Sequence, residues 1–301
     1  MSTQNLKSTI ENLQAVDFPD PFVLRVGADY YAYATNASGY NVQLLHSNDL
    51  RTWERLGDAL PQLPVWAAAG QNLTWAPTVL QRPGYYVLYY TARFAAAGLQ
   101  CLGCAISESP ADPFHDQSTE PFLCQHRLGG SIDPSPFVED DGRIYLLWKN
   151  DGNSCDLPTG LWLQALRDDG LAVEGKAVEL LRRDQPWELP LVEAPALVKH
   201  EGRYYLFYSG NWWESADYAI NYAVSDTLTG PYIKPHAQPW FARREDVLGP
   251  GGQEFFTTPD GQLWMAYHAW TVPNVGYPAG TRSLHLAQIA FKDRQPTIKI
   301  T

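Results

Sequence analysis

Five short segments of this 301-residue chain read alike: ADYYAYAT, GYYVLYYT, GRIYLLWK, GRYYLFYS and GQLWMAYH. Each is an aromatic-rich apolar run of the kind that forms strands. Aligned, they place Tyr31, Tyr86, Tyr145, Tyr205 and Trp264 at equivalent positions, 55, 59, 60 and 59 residues apart. A repeat this regular restricts the fold more than any other feature of the chain. A turn glycine opens four of the runs, and the first uses GAD instead. Upstream of each lies another strand pattern: DPFVLR, APTVLQ, DPSPFVED, EAPALVKH and GGQEFFTT. Downstream lies a third: NVQLLHS, CLGCAIS, LWLQALR, YAINYAVS and SLHLAQIAF. Pro21, Pro77, Pro134 and Pro195 stand at or near the start of four upstream strands, where a missing N–H does least harm.

The unit is thus a meander of about four strands, repeated five times, with little helical periodicity. Only the first dozen residues suit a short helix. A unit of this size repeated radially predicts an all-β, five-bladed β-propeller with four-stranded antiparallel blades. The near-constant spacing argues against a pair of unlike β-sandwiches. Residues 1–301 are read as one domain, with a short extension over about 1–14.

Net charge is −11 and no long basic run occurs, which argues against binding a nucleic-acid backbone or an anionic membrane. No apolar run reaches the roughly 18–20 residues that span a bilayer. The opening MSTQNLKSTIENLQ lacks a signal-peptide core, so a cytoplasmic location is expected, or secretion if a signal peptide has been removed. Cys101 and Cys104 form a CxxC inside the strand-like LQCLGCAIS, with no second pair and no nearby histidine. Buried free thiols are expected for the four cysteines, ahead of a disulfide or a metal site.

In a propeller the innermost strand of each blade lines a central channel, and its first residues face one mouth. Those positions are read as Asp20, Ala76, Asp133, Glu193 and either Gly252 or Gln253. One aspartate before a strand is ordinarily a turn or cap residue. Three acids at equivalent positions repel one another, and such perturbed groups gather where they are used. A calcium site wants more oxygen ligands than these three supply. One acid kept protonated and one kept ionised suit hydrolysis of a glycosidic bond. No Ser-His-Asp order or dinucleotide fingerprint competes, and GPGG at 249–252 lacks the Lys and Ser/Thr of a phosphate loop.

Over roughly residues 15 to 292 the chain resembles glycoside hydrolase family 43, the five-bladed propeller xylosidases, arabinofuranosidases and arabinanases. The resemblance rests on DFPDPFV, SIDPSPFVEDDGRIYLLWKNDGN, EAPALVKHEGRYYLFYSG and GPGGQEFFTTPDGQLWMAYHAW, in that order and spacing. It implies an inverting mechanism. Asp20, in PDP, would be the general base, and Glu193, in EAP, the general acid. Asp133, in IDPS, would orient that acid and keep its pKa high. The resemblance also implies that Arg282, in GTRSL, reaches the substrate. His268, in AYHAW, matches an axial histidine that often orders a water or a calcium ion. Trp75, in TWAP, suits the apolar face of a sugar ring, and Phe22 is a candidate pocket wall. Asp17 lies outside the acid–proline pair and is read as structural. No cofactor is expected to be required, and a structural calcium on the axis is the ion the resemblance allows. One departure is Gly252, where many relatives of the GPGH type carry an imidazole.

The expected substrates are arabinose- or xylose-containing oligosaccharides, trimmed one terminal pentose at a time by an α-L-arabinofuranosidase or β-xylosidase. An endo-arabinanase is the alternative within the family. A non-catalytic carbohydrate-binding propeller would not need all three acids. A fructosidase-like enzyme would retain anomeric configuration. The chain ends about ten residues after its last strand pattern, so an appended β-sandwich is not expected to close the pocket. Segments 60–75, 153–160 and 209–219, or a partner subunit, would do so instead. Trp212 and Trp213, in the last of these, are candidate pocket walls or an interface.

Overall fold

The computed structural model describes residues 9–10, 16–70 and 73–300. Five antiparallel sheets form a ring. Blade one holds β1 (Thr9–Ile10), β2 (Phe22–Val26), β3 (Asp29–Ala34), β4 (Gln43–Ser47) and β5 (Trp53–Asp58). Blade two holds β6 (Trp75–Arg82), β7 (Tyr85–Phe94) and β8 (Leu99–Ser107). Blade three holds β9 (Ser131–Val138), β10 (Ile144–Asn150), β11 (Gly160–Leu166) and β12 (Val173–Arg182). Blade four holds β13 (Val192–His200), β14 (Arg203–Gly210) and β15 (Ala219–Ser225). Blade five holds β16 (Leu248–Thr257), β17 (Leu263–Trp270), β18 (Arg282–Lys292) and β19 (Gln295–Ile300). The five aligned aromatic runs are the second strands β3, β7, β10, β14 and β17. The glycines that open four of them sit at positive φ, as at Gly84 (87°) and Gly202 (76°), where a tight turn needs a residue without Cβ. The short helix expected in the first dozen residues falls outside the described residues, except at Thr9–Ile10, which pair with β5.

Blades two and four depart from the expected four strands, and proline is the reason. After β8 come Pro110, Pro113 and Pro121; after β15 come Pro231, Pro235 and Pro239. A fourth strand needs a continuous row of N–H donors, which these segments lack. They touch the sheet edge at isolated bridges: His115 to Ile106, Leu123 to Leu102 and Gly130 to Gln100, then Ile233 to Val224 and Phe241 to Ile220. The Leu123 bridge brings Cys124 beside Cys101, and the two form a disulfide across a Cα–Cα distance of 4.9 Å. That corrects the expectation of free thiols for this pair. Cys104 stays free and half-buried, its thiol pushed up to about 12 by burial, and Cys155 is exposed.

Among the described residues, apolar clusters fill each space between adjacent blades. Phe22, Tyr33 and Leu44 meet Leu88 and Tyr90 between blades one and two. Leu80 and Tyr89 meet Leu146 and Trp148 between two and three. Leu147 and Leu163 meet Leu206 and Tyr208, and Phe207 and Tyr222 meet Met265 and Tyr267, across the next two spaces. Tyr30 and Trp53 meet Phe256 and Leu284, which closes the ring. Each such side chain contributes about 1.5–3 kcal/mol by leaving water, so no blade buries its faces without both neighbours. The innermost strands β2, β6, β9, β13 and β16 pack in sequence around the axis.

Candidate active site

One mouth of the channel opens into a cavity of about 720 Å³, lined by residues from all five blades. The innermost strand of each blade turns there through a left-handed residue: Asp20 (φ 52°), Ala76 (43°), Asp133 (57°), Ala194 (51°) and Gly252 (60°). The strand register shifts at or beside this point in blades two to five, as in a β-bulge, which re-aims side chains out of the ladder. Four of these residues are not glycine, and such conformations cost about 1–3 kcal/mol each, so the ring must hold them in place. It does so by a repeated device. Each left-handed residue donates its N–H to a side chain of the preceding blade. Ala76 donates to Thr35 (2.9 Å), Asp133 to Thr91 (3.3 Å), Gly252 to Ser209 (3.0 Å) and Asp20 to His268 Nδ1 (3.0 Å). Ala194 donates to the Asp133 carboxylate (2.9 Å).

This ring corrects one alignment. Glu193 is not the equivalent of Asp20 and Asp133; Ala194 is, and Glu193 stands one residue before the turn. Gly252, not Gln253, holds the fifth position. A Cβ on Gly252 would fall 2.6 Å from His268 Nδ1 and 2.8 Å from Asp20 Oδ1, so this packing admits only glycine. Gln253 is buried as a brace, donating to the Ala194 carbonyl and accepting from Ser209.

Asp20 is surrounded by groups that favour its anion. Thr35 Oγ1 accepts from Ala76, so its own proton is directed to Asp20 Oδ2, 2.6 Å away. Arg282 Nη1 lies 3.7 Å from Oδ1. Burial alone would raise the Asp20 pKa, but the Arg282 guanidinium, with the Thr35 hydroxyl, holds it well below the usual carboxylate range. Arg282 is itself fixed. Its guanidinium stacks 4.6 Å from the Trp213 ring and its backbone N–H donates to Asp17, which also accepts from the Tyr277 hydroxyl. Asp17 thus braces the arginine from the cavity wall.

Asp133 is the opposite case. Burial, followed by the negative charge of Glu193, pushes its carboxyl well above the usual range. Glu193 is buried; its Oε1 accepts from the Tyr218 hydroxyl at 2.8 Å, and its Oε2 lies 3.2 Å from Lys149 Nζ. A fourth acid, Glu254 on β16, also lines the cavity, and burial pushes its carboxyl up to about 8. The sequence reading missed Lys149, Tyr218 and Glu254. Only Lys149 left a signal, a lysine closing an otherwise apolar strand run.

Trp75 and Arg282 line the cavity, and so do Trp212 and Trp213. Asn153 and Ser154 reach it from the 153–160 segment, and Tyr277 from a loop that was not singled out. Phe22 does not line it. It is 8% exposed and packs between blades one and two, because the strand turns it into the blade face. His268 is fully buried behind Asp20. Its Nδ1 accepts the Asp20 N–H, which leaves the ring proton on Nε2, and burial lowers its pKa so that the ring stays neutral. Neither nitrogen then offers a lone pair to a cation. Among the described residues no cluster of three or more His, Cys, Asp or Glu is arranged for a metal. His268 Nε2 is buried and meets no hydrogen-bond partner among the described residues.

The same propeller occurs in known proteins. A solved thermostable family-43 glycoside hydrolase superposes with a TM-score of 0.84 at 30% identity, over 94% of this chain and 93% of its own. A xylosidase/arabinosidase of Butyrivibrio fibrisolvens is 25% identical over 93% of this chain and 54% of its own length. The extracellular exo-α-(1→5)-L-arabinofuranosidase ArbA of Cellvibrio japonicus is 26% identical over 85% of this chain and 79% of its own. This chain spans about half the length of several such relatives, among them the xylosidase/arabinosidase 43B of Humicola insolens, at 47%. The family model for glycosyl hydrolases family 43 matches residues 13–296, a span that contains the ring and all of its acids, and the chain belongs to that family.

Proposed function

We propose that the protein removes terminal α-L-arabinofuranosyl or β-xylosyl residues from oligosaccharides, with inversion at the anomeric carbon. The observation that carries this reading is the contrast across one cavity between Asp20, beside the Arg282 guanidinium and the Thr35 hydroxyl that favour its anion, and the buried Asp133, whose carboxyl is pushed up by burial and by the neighbouring Glu193. Asp20 takes a proton from water, whose oxygen attacks the anomeric carbon. The glycosidic C–O bond breaks with its electron pair on the leaving oxygen, which takes the proton of Glu193. Asp133 accepts the N–H of the residue after Glu193 and so aims that side chain. Both proton transfers are made by carboxyl groups, and no metal step is needed. Trp75, Trp212 and Tyr277 offer aromatic faces to sugar rings. The names of the Butyrivibrio and Cellvibrio relatives support a pentose substrate.

The test is a screen of aryl α-L-arabinofuranoside, aryl β-xyloside and linear arabinan, with NMR of the first-formed sugar anomer. Release of single pentoses with inverted configuration is the expected result. Retention would overturn the mechanism, and internal cleavage of arabinan would replace the exo reading by an endo one. We also infer that the protein works outside a reducing cytoplasm, since the Cys101–Cys124 bridge needs oxidising conditions to persist. Differential alkylation of the natively produced protein checks this: labelled Cys101 and Cys124 would count against it.

A further inference from the structure

The side chains that accept the N–H of the left-handed residues come from one repeated position, the last residue of each aligned run. These are Thr35, Thr91, Ser209 and His268 in blades one, two, four and five. In blade three the position is Lys149. An ammonium has only donors, so it cannot do the work its four counterparts do. Asp133 takes that work over, and Lys149 is left for another use.

Lys149 is 1% exposed and lines the cavity. A buried ammonium is costly unless it is paired. Its Nζ bridges two buried carboxylates, 3.2 Å from Glu193 Oε2 and 3.3 Å from Asp151 Oδ1. Burial lowers its pKa, but the charges of Glu193, Asp151 and Asp133 outweigh this and keep it cationic. The other titratable groups around Glu193 are Tyr218, whose hydroxyl donates to Oε1, and Asp133. Asp20 and Glu254 share the same cavity. In this arrangement both oxygens of Glu193 receive a donor, as a carboxylate requires. A proton on Oε2 would compete with the ammonium, which has Asp151 to fall back on.

We propose that Lys149 is a positioning residue that alternates between Asp151 and Glu193, resting on Asp151 while Glu193 holds its proton and closing on Oε2 as that proton passes to the glycosidic oxygen. The proposal rests on the reading of Glu193 as the general acid. Lys149 itself transfers no proton. The C–O electron pair goes to the leaving oxygen, the proton comes from Glu193, and the water's proton goes to Asp20. Lys149 stabilises the Glu193 carboxylate at the moment it forms, and Asp151 prevents it from doing so too early.

The experiment compares pH profiles of kcat/KM for the wild type, Lys149→Met, Lys149→Arg and Asp151→Asn, on aryl glycosides of graded leaving-group ability. Lys149→Met removes a cation beside the acid, so the alkaline limb moves up by about 1–3 pH units. Asp151→Asn leaves the ammonium to Glu193 alone, so the limb moves down. Lys149→Arg keeps the limb near its wild-type place. A pair with only a structural role would not move the limb in opposite directions. Unmoved limbs, or shifts of one sign in both variants, overturn the proposal. If Lys149→Met does not fold, Asp151→Asn decides alone: a downward shift supports the toggle and none overturns it. Glu193→Ala is run alongside. Equal losses on good and poor leaving groups would overturn the assignment of Glu193 itself, which is a different failure.

Discussion

At Asp20 and at Asp133 the innermost strand makes the same move, a left-handed residue ahead of a proline, at φ 52° and 57°. Their surroundings differ. Asp20 faces Arg282 and the Thr35 hydroxyl, and its backbone is held by a neutral histidine. Asp133 faces Glu193, and its carboxylate is spent on the backbone N–H that a threonine or serine holds elsewhere in the ring. The backbone device thus places a carboxyl at the mouth without deciding its charge. Neighbours from other strands decide that: a guanidinium on β18 for one acid and a second carboxyl on β13 for the other.

The sharpest way to break this comparison is to remove each acid. Asp20→Ala should lose about 10²–10⁴-fold in kcat or more, on aryl glycosides and oligosaccharides alike, because water must be activated whatever leaves. Glu193→Ala should lose about as much on oligosaccharides but far less on a nitrophenyl glycoside, whose leaving group needs no proton. Steady-state kinetics on both substrate types, with folding checked by circular dichroism, separates the two roles. Identical profiles for the two variants would show that the two halves of the site do the same work.

A smaller effect tests the cause of Asp20's ionisation. Arg282 holds that pKa down, so Arg282→Met should move the acid limb of kcat/KM up by about 1–3 pH units, towards the ordinary carboxylate range. An unmoved limb would assign the work to the Thr35 hydroxyl instead.

The smallest effect is on stability, on the Asp133 side of the cavity. Glu254 ionises near its ordinary 4.5 in the unfolded chain but is pushed up to about 8 in the fold. The folded state therefore binds the extra proton between these values, and the native protein loses stability as pH rises from 4.5 to 8. Glu254→Gln does not titrate. Its gain in Tm over the wild type should be near zero at pH 4.5, grow through that window and level off above it. Thermal melts across the range check this, and a gain that shrinks with pH would reverse the sign.

Much of this was legible in the chain itself. The aromatic runs marked every second strand, and the acid–proline pairs marked the mouth. The eighth letters of the same five runs, Thr35, Thr91, Lys149, Ser209 and His268, already held the acceptor ring, with lysine as the exception. Recognising it required knowing that each of these residues faces the next blade. Phe22 misled because a residue two places from an acid looks like a pocket wall until the strand's turn sends it into the blade. Glu193 misled by one residue because proline spacing is a poor guide to where a strand bulges. The four-stranded expectation failed where clustered prolines had removed the donors of an edge strand.

By itself the sequence determined five meanders, their order, and three carboxyls at the starts of inner strands, because strand periodicity and turn chemistry are local. The tertiary structure decided which carboxyl is held below the usual range and which is pushed above it. Asp20 draws its partners from Thr35, 15 residues away, and His268, 248 residues away, and these meet only when blade five closes against blade one. Charge depends on distance in space, and in a ring the first and last blades are neighbours.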